Sequence, residues 1–313
     1  MKAVALHRFG GPEVLEQVEL PAPHAGPGEI RVRVRAAAVN APDTAVRTGL
    51  FAAPGEEPPF PLVPGMEAAG VVDETGPGAT RWQVGDAVMV FVVPRGAHGA
   101  YAEQVVVSED AAAAVPAGAG FPGAATLPMN GLTARMALDQ LGLAPGETLG
   151  VTGAAGAVGG YAVQLAVAAG LRVVADASAA DEELVRGLGA HRVVPRGPGV
   201  ARAMREAAGG GVAGLADCAA QNEQVTAAVR DGGGMATFRY WDGSPGRGIT
   251  LHTVLVSSYP EVAAGLDGLR VLAERGALTL RVAATLPPAR AAEAHRRLAA
   301  GGVRGRLVLD FGG

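Results

Sequence analysis

Apolar and polar positions change their period a little more than a third of the way along the chain. Up to residue 120, short apolar or alternating runs, EIRVRVRAAAV, AAGVVDETG, DAVMVFVV and AYAEQVVVS, are separated by Pro-Gly and Gly-rich turns. Such runs predict strands, and residues 1–120 read as a β-rich domain. From 121 to 257, strand-like runs at 149–152, 172–176, 191–195, 215–217, 234–238 and 249–256 alternate with helical patterns. This alternation predicts an α/β unit with a parallel, doubly wound sheet of the Rossmann type. Residues 258–313 supply a helix over 260–275, a strand over 279–284, a helix over 288–300 and a strand over 305–311, all expected to return to the first domain.

Within the second region, LGVTGAAGAVGGYAVQLAVAAG at 149–170 reads as a buried strand, a glycine turn and a helix opening directly from it. Gly153, Gly156 and Gly159 allow a tight turn, close approach of a ligand to the amides, and close packing of helix on strand. The free N–H groups and positive dipole end of the helix then face an anion, with Ala155, Ala157 and Val158 completing the lip. Forty-seven glycines produce such spacings by chance, so the context decides. Here a hydrophobic run precedes the turn, a helix with Val158, Ala162, Leu165 and Ala169 at helical spacing follows, and LRVVADAS supplies the next strand. The turn is a candidate cradle for the pyrophosphate of a dinucleotide.

Composition narrows the function classes. A length of 313 with 49% apolar and 18% charged residues suits two globular domains. A net charge of −4 without basic runs argues against nucleic acid and membrane surfaces as partners. The start MKAVALHRFGGPEVLE breaks its apolar run early, and no segment reaches about 20 apolar residues, so a cytoplasmic enzyme with a small-molecule substrate is expected. Cys218 is the single cysteine, which excludes an internal disulfide and a cysteine-based zinc site; in LADCAA it reads as a buried, inert thiol.

Several segments in order resemble a known family: the opening MKAVALHRFGGPEVLE, AAAVNAPDTAVRTGLF, PLVPGMEAAGVV followed by WQVGDAVMVF, NGLTARMAL ahead of the glycine turn, and GGVRGRLVLDF at the end. The chain is similar to the medium-chain dehydrogenase/reductase superfamily, and within it to the zinc-free quinone oxidoreductases related to zeta-crystallin. The resemblance implies a GroES-like substrate domain over 1–120 and 258–313, a Rossmann domain over 121–257, and a homodimer formed through the run 249–256. Zinc-dependent members place a cysteine ligand near Asn40 and a histidine in Gly-His-Glu, where this chain reads Gly65-Met66-Glu67. No metal is therefore expected. His7 and His98 lack ligand spacing and read as ordinary histidines.

The residue ending the second strand, about 20 after the first glycine, discriminates NAD from NADP. Counting the family pattern from Gly153 puts Ala177 there, then Ser178, and neither binds a ribose as a carboxylate would. This favours NADPH, with Ser178 donating to the 2′-phosphate and Arg172 or Arg196 approaching it. Asp176, one position earlier, is expected to point to the other face, and a one-residue slip would reverse the preference. Thr133 matches the family threonine at the nicotinamide end, its alternative being a helix residue with a satisfied hydroxyl.

Hydride transfer needs an electron-poor carbon held at near-attack distance, with water kept out. The resemblance puts the substrate in a cleft lined by residues 40–51. There Asn40 is the candidate catalytic group, to hydrogen-bond a substrate oxygen or orient the ring, its alternative being a turn residue before Pro42. Asp43 reads as a helix cap. Ala45 and Phe51 stand where relatives often carry tyrosine, which removes a proton donor and opens space for a bulky substrate. Trp241, with Arg47, Asn130 and Tyr240, is the remaining lining or polar candidate. The reaction these features favour is NADPH-dependent reduction of a quinone or an activated C=C bond. Its rivals are a pathway-specific enoyl or polyketide tailoring reductase, and a nucleotide-binding protein without redox chemistry.

Overall fold

The computed structural model describes residues 1–52 and 58–312, which form two compact units. One comprises Met1–Met129, Glu261–Glu274 and Leu280–Gly313, the other Asn130–Pro260 and Arg275–Thr279. Residues 121–129, assigned above to the second domain, pack with the first, because Ala124, Ala125 and Leu127 are fully buried there.

The first unit is organised by the ten-residue strand Glu29–Ala38, in which buried Ile30, Val32 and Val34 alternate with less buried Arg31, Arg33 and Arg35. That period of two gives one apolar face. The strand pairs antiparallel with Glu67–Thr75 along one edge, and with Gln104–Ser108 and Arg306–Asp310 at successive positions along the other. The C-terminal residues therefore close the sheet that the N-terminal third begins. Val72, Val88, Val90, Leu307 and Leu309 complete the core, each fully buried aliphatic chain contributing about 1.5–3 kcal/mol. Gly70 of strand Glu67–Thr75 lies beside a register shift between Val34 and Ala36, and a Cβ there would lie 2.1 Å from the carbonyl oxygen of Arg33.

In the second unit six parallel strands run in the order Arg192–Pro195, Arg172–Ala177, Thr148–Thr152, Val212–Asp217, Val229–Thr237, Thr250–Thr253. The direction of winding reverses between Thr148–Thr152 and Val212–Asp217. Ligands of such sheets bind at the carboxyl ends of strands flanking this switch point, and the glycine turn lies there. Two elements depart from the sequence reading. Helix Ala157–Ala168 is not a two-faced surface helix: residues 159–166 are all buried while Ala169 is exposed, because the segment is apolar on every side. The run 249–256 yields only the four-residue edge strand Thr250–Thr253, since a 3₁₀ turn takes over at Val256–Ser258. Among the described residues no helix is long and apolar enough to cross a membrane.

Replacing Gly70 by alanine is expected to destabilise the protein by about 1–3 kcal/mol, because the methyl group meets rigid backbone. Gly187→Ala, with no neighbour within 4 Å and no left-handed φ, serves as the neutral control. Urea denaturation of both variants checks this; a Gly70→Ala protein as stable as the control contradicts the close approach.

Candidate active site

In the second unit the candidate cofactor site is the turn between strand Thr148–Thr152 and helix Ala157–Ala168. Gly153 adopts φ +63°, which favours glycine, and its carbonyl accepts from Gly156 N at 2.9 Å. A Cβ on Gly159 would stand 2.3 Å from the same carbonyl. The helix therefore starts pressed against a turn of glycine and alanine residues. This is the geometry an anionic phosphate requires, and the residues present fit the phosphates of a dinucleotide. Ala155, Ala157 and Val158 belong to the same turn and first helical residues, as expected. Across the switch point, Thr152 Oγ1 donates to Asp217 Oδ1 at 2.6 Å and accepts from Ala219 N at 3.1 Å, while Asp217 Oδ2 accepts from Asn222 N at 2.7 Å. These bonds tie together the two strand ends that flank the turn.

Asp176 departs from expectation. Its side chain does not turn away but reaches back under the turn, where Oδ1 accepts from Ala154 N at 3.3 Å. Oδ2 makes no hydrogen bond and forms an ion pair with Arg196 Nε at 3.5 Å. The carboxylate is fully buried; burial raises its pKa, opposed by Arg196 and the amides of Ala154 and Gly153. The Ser178 hydroxyl donates to Asp181 Oδ2 at 2.6 Å, its acidic neighbour three residues on. The exposed part of Arg196 is left as the cationic group at this strand end. Thr133 is buried on helix Pro128–Leu141. Trp241 is half-buried against the aliphatic core of the second unit, and Tyr240 is exposed. Cys218 is half-buried, and desolvation pushes its thiol pKa up, away from nucleophilic reactivity.

The first unit, taken by itself, carries a cluster of buried polar side chains around helix Ala41–Thr48. Asn40 is fully buried and its side chain is committed: Nδ2 donates to Glu67 Oε1 at 2.9 Å and to Ala38 O at 3.3 Å, and Oδ1 accepts from Arg306 Nη2. Both amide hydrogens are thus engaged, which leaves none for a substrate oxygen. Glu67 accepts also from Met129 N at 2.8 Å, and Arg306 donates to Val39 O. Asp43 caps the helix as expected, Oδ2 accepting from Asn40 N at 2.7 Å. It accepts further from Tyr101 Oη at 3.0 Å and, at Oδ1, from Gly65 N at 3.1 Å. Ala45 is buried on this helix, and Phe51 beyond it is 66% exposed. Among the described residues no group of three or more His, Cys, Asp or Glu side chains is placed so that it could hold a metal ion.

Glu67, Tyr101, His295 and Arg306 are site residues that the sequence reading passed over. A signal existed for Arg306, a charge inside the apolar run RLVLD, and for Glu67, next to Met66. None existed for Tyr101 or His295.

Comparison with known proteins defines the class. The family profile for the alcohol dehydrogenase GroES-like domain matches residues 26–117, and that for zinc-binding dehydrogenases matches 188–309. A quinone oxidoreductase of Pseudomonas aeruginosa is 38% identical over 182 residues, 58% of this chain and 54% of that protein. The chain thus aligns with about half the length of that curated relative. A crystal structure of an NAD-dependent alcohol dehydrogenase superposes with TM-score 0.89 at 32% identity, covering 100% of both chains. The quinone oxidoreductase of Pseudomonas syringae superposes with TM-score 0.87 at 28% identity over 99% of each. The chain belongs to the medium-chain dehydrogenase/reductase superfamily, in its quinone oxidoreductase branch. Nicotinamide dinucleotides are the cofactors of that superfamily.

Burial drives two linked groups in opposite directions: His295 down to about 4, helped by Arg47, and Asp43 up to about 7, opposed by its amide, Tyr101 and Arg306 partners. Stability from neutral His295 is present above 6.5 and is lost as pH falls toward 4; stability from Asp43 is present below 3.8 and is lost as pH rises toward 7. Between these limits the two slopes oppose. His295→Gln is therefore expected to make stability fall with rising pH, relative to wild type, by at most about 1.4 kcal/mol per pH unit. Asp43→Asn reverses the sign. Urea midpoints from pH 4.5 to 6.5 read this out, and unchanged slopes in both variants contradict the assignment.

Proposed function

We propose that the chain is a zinc-independent reductase that takes hydride from NADPH and delivers it to a quinone or to the activated C=C bond of an enone. The observation that carries this reading is the close-packed turn of glycine and alanine at the switch point, with Arg196 at the neighbouring strand end. The glycine turn and helix N-terminus bind the pyrophosphate. Arg196, oriented by buried Asp176, receives the 2′-phosphate through charge-assisted hydrogen bonds, a role Ser178 does not share while it serves Asp181. Thr133 meets the nicotinamide end. When bound, the reduced nicotinamide supplies the hydride.

On the substrate side, Asn40 orients rather than donates, because its amide is held by Glu67 and Arg306. Ala45 leaves room for a wide ring, and Phe51 and Trp241 offer apolar surface against water. With alanine and phenylalanine where tyrosine often stands, the proton that completes reduction comes from water. Quinones tolerate this better than enones, since a positioned acid is worth about 10²–10⁴ in rate. We further propose a homodimer joined along the edge strand Thr250–Thr253, whose outer backbone groups invite pairing.

Calorimetric titration is expected to find NADPH bound at least tenfold more tightly than NADH. Arg196→Gln should weaken NADPH about tenfold and leave NADH within twofold, a loss of about 1.4 kcal/mol. Equal affinities in the wild type would overturn the cofactor assignment.

With a panel of quinones and enones, NADPH oxidation should persist after exhaustive chelation. Binding without any turnover favours a nucleotide-binding role, and activity restored only by zinc contradicts the metal-free reading.

A further inference from the structure

Helix Ala41–Thr48 is only eight residues long, yet both of its ends are held by one closed circuit of buried side chains. Asp43 in its first turn accepts from Tyr101 Oη at 3.0 Å. Tyr101 Oη lies 3.3 Å from His295 Nε2, and His295 Nδ1 accepts from Arg47 Nε at 3.3 Å. Arg47 returns the circuit to the last turn of the same helix, four residues after Asp43, so both anchors lie on one face. Asp43, Tyr101 and His295 are fully buried, and Arg47 nearly so. Arg47 Nη1 also donates to Gly10 O.

The donors fix every proton. Arginine has no acceptor, so His295 Nδ1 carries a lone pair and Nε2 carries the hydrogen. Nε2–H then donates to Tyr101 Oη, and the phenol hydrogen goes to Asp43. Neither the imidazole nor the phenol can rotate without breaking a buried bond, which makes the circuit a rigid setting for the helix it encloses. The charged groups facing it are Arg306 and Glu67 beside Asp43 and Glu13 beside Arg47. None of the four circuit residues is offered to solvent, and the segment they fix runs from Asn40 through Ala45 to Phe51.

We propose that Asp43, Tyr101, His295 and Arg47 are positioning residues that set the substrate-side segment 40–51 for hydride transfer, His295 acting as a neutral Nε2–H link. This rests on the reductase reading for its kinetic consequence, not for its structural one. Displacement of a reacting partner by about 1 Å costs on the order of 100-fold in rate, so a loosened helix lowers turnover without touching the dinucleotide.

The test compares Tyr101→Phe, His295→Leu and His295→Gln in the full chain. Tyr101→Phe and His295→Leu should lower kcat about tenfold or more, with KM for NADPH and its calorimetric affinity within twofold. His295→Gln, which can still accept and donate, should recover part of that loss. A merely structural role predicts a lowered Tm with kcat per folded molecule unchanged in all three, and that result overturns the proposal. Amide exchange supplies a readout independent of turnover: the amides of residues 45–49 should exchange at least tenfold faster in Tyr101→Phe while strand 67–75 is unaffected. Nitrogen NMR should show His295 as the Nε2–H tautomer at neutral pH. Unchanged helix exchange, or an Nδ1–H tautomer, refutes the circuit even where the wild type reduces nothing on the panel, an outcome that by itself counts only against the reductase reading.

Discussion

Between the carbonyl oxygen of Gly153 and the backbone of Gly159 there is no room for a side chain; a Cβ would come within 2.3 Å. That contact lets helix Ala157–Ala168 begin directly after the short turn that ends strand Thr148–Thr152. The surrounding chemistry is arranged to hold the turn still. Asp176 braces it from below through Ala154, and the Thr152–Asp217 bond fixes the neighbouring strand end. The helix itself is apolar on all sides, so burial rather than capping keeps it in place.

The first unit solves a different problem, that of keeping charge inside an aliphatic sheet. Glu67 and Arg306 open their strands, Asn40 follows the end of strand Glu29–Ala38, and Asp43 lies in the first turn of helix Ala41–Thr48, all of them buried beside valine, leucine and alanine positions. Removing such groups from water is tolerable only when their hydrogen-bonding capacity is met. Here Glu67 is met by Asn40 and Met129 and Asp43 by two amides and a phenol, while Arg306 is met in part, its Nη2 donating to Val39 O and Asn40 Oδ1 and its buried Nε making no hydrogen bond. The polar cluster therefore fixes geometry more than it adds stability. It sets the register between the C-terminal strand and helix Ala41–Thr48, which supports the substrate-side role assigned to that helix.

Much of this was legible along the chain. Period-two alternation marked strand Glu29–Ala38, and glycine spacing in a strand-turn-helix context marked the cradle. Three features were not. The helix after the turn has too little polar residue to reveal a face, so the stripe through Val158 and Ala169 was misleading. Asp176 was read from strand alternation alone, which says nothing of a carboxylate curling back to Ala154. The Asp43–Tyr101–His295–Arg47 circuit joins positions up to 248 residues apart, and no local pattern encodes a contact that only the closed sheet creates.

The central claim is that this chain moves a hydride from a bound reduced nicotinamide to an organic acceptor. NADPH deuterated at nicotinamide C4 tests it directly, with mass spectrometry of the reduced enone. The account predicts deuterium from one face of the nicotinamide at the carbon β to the carbonyl, with solvent hydrogen at the α carbon. Reduced product without deuterium at the β carbon, from both C4 epimers of the label, would contradict it.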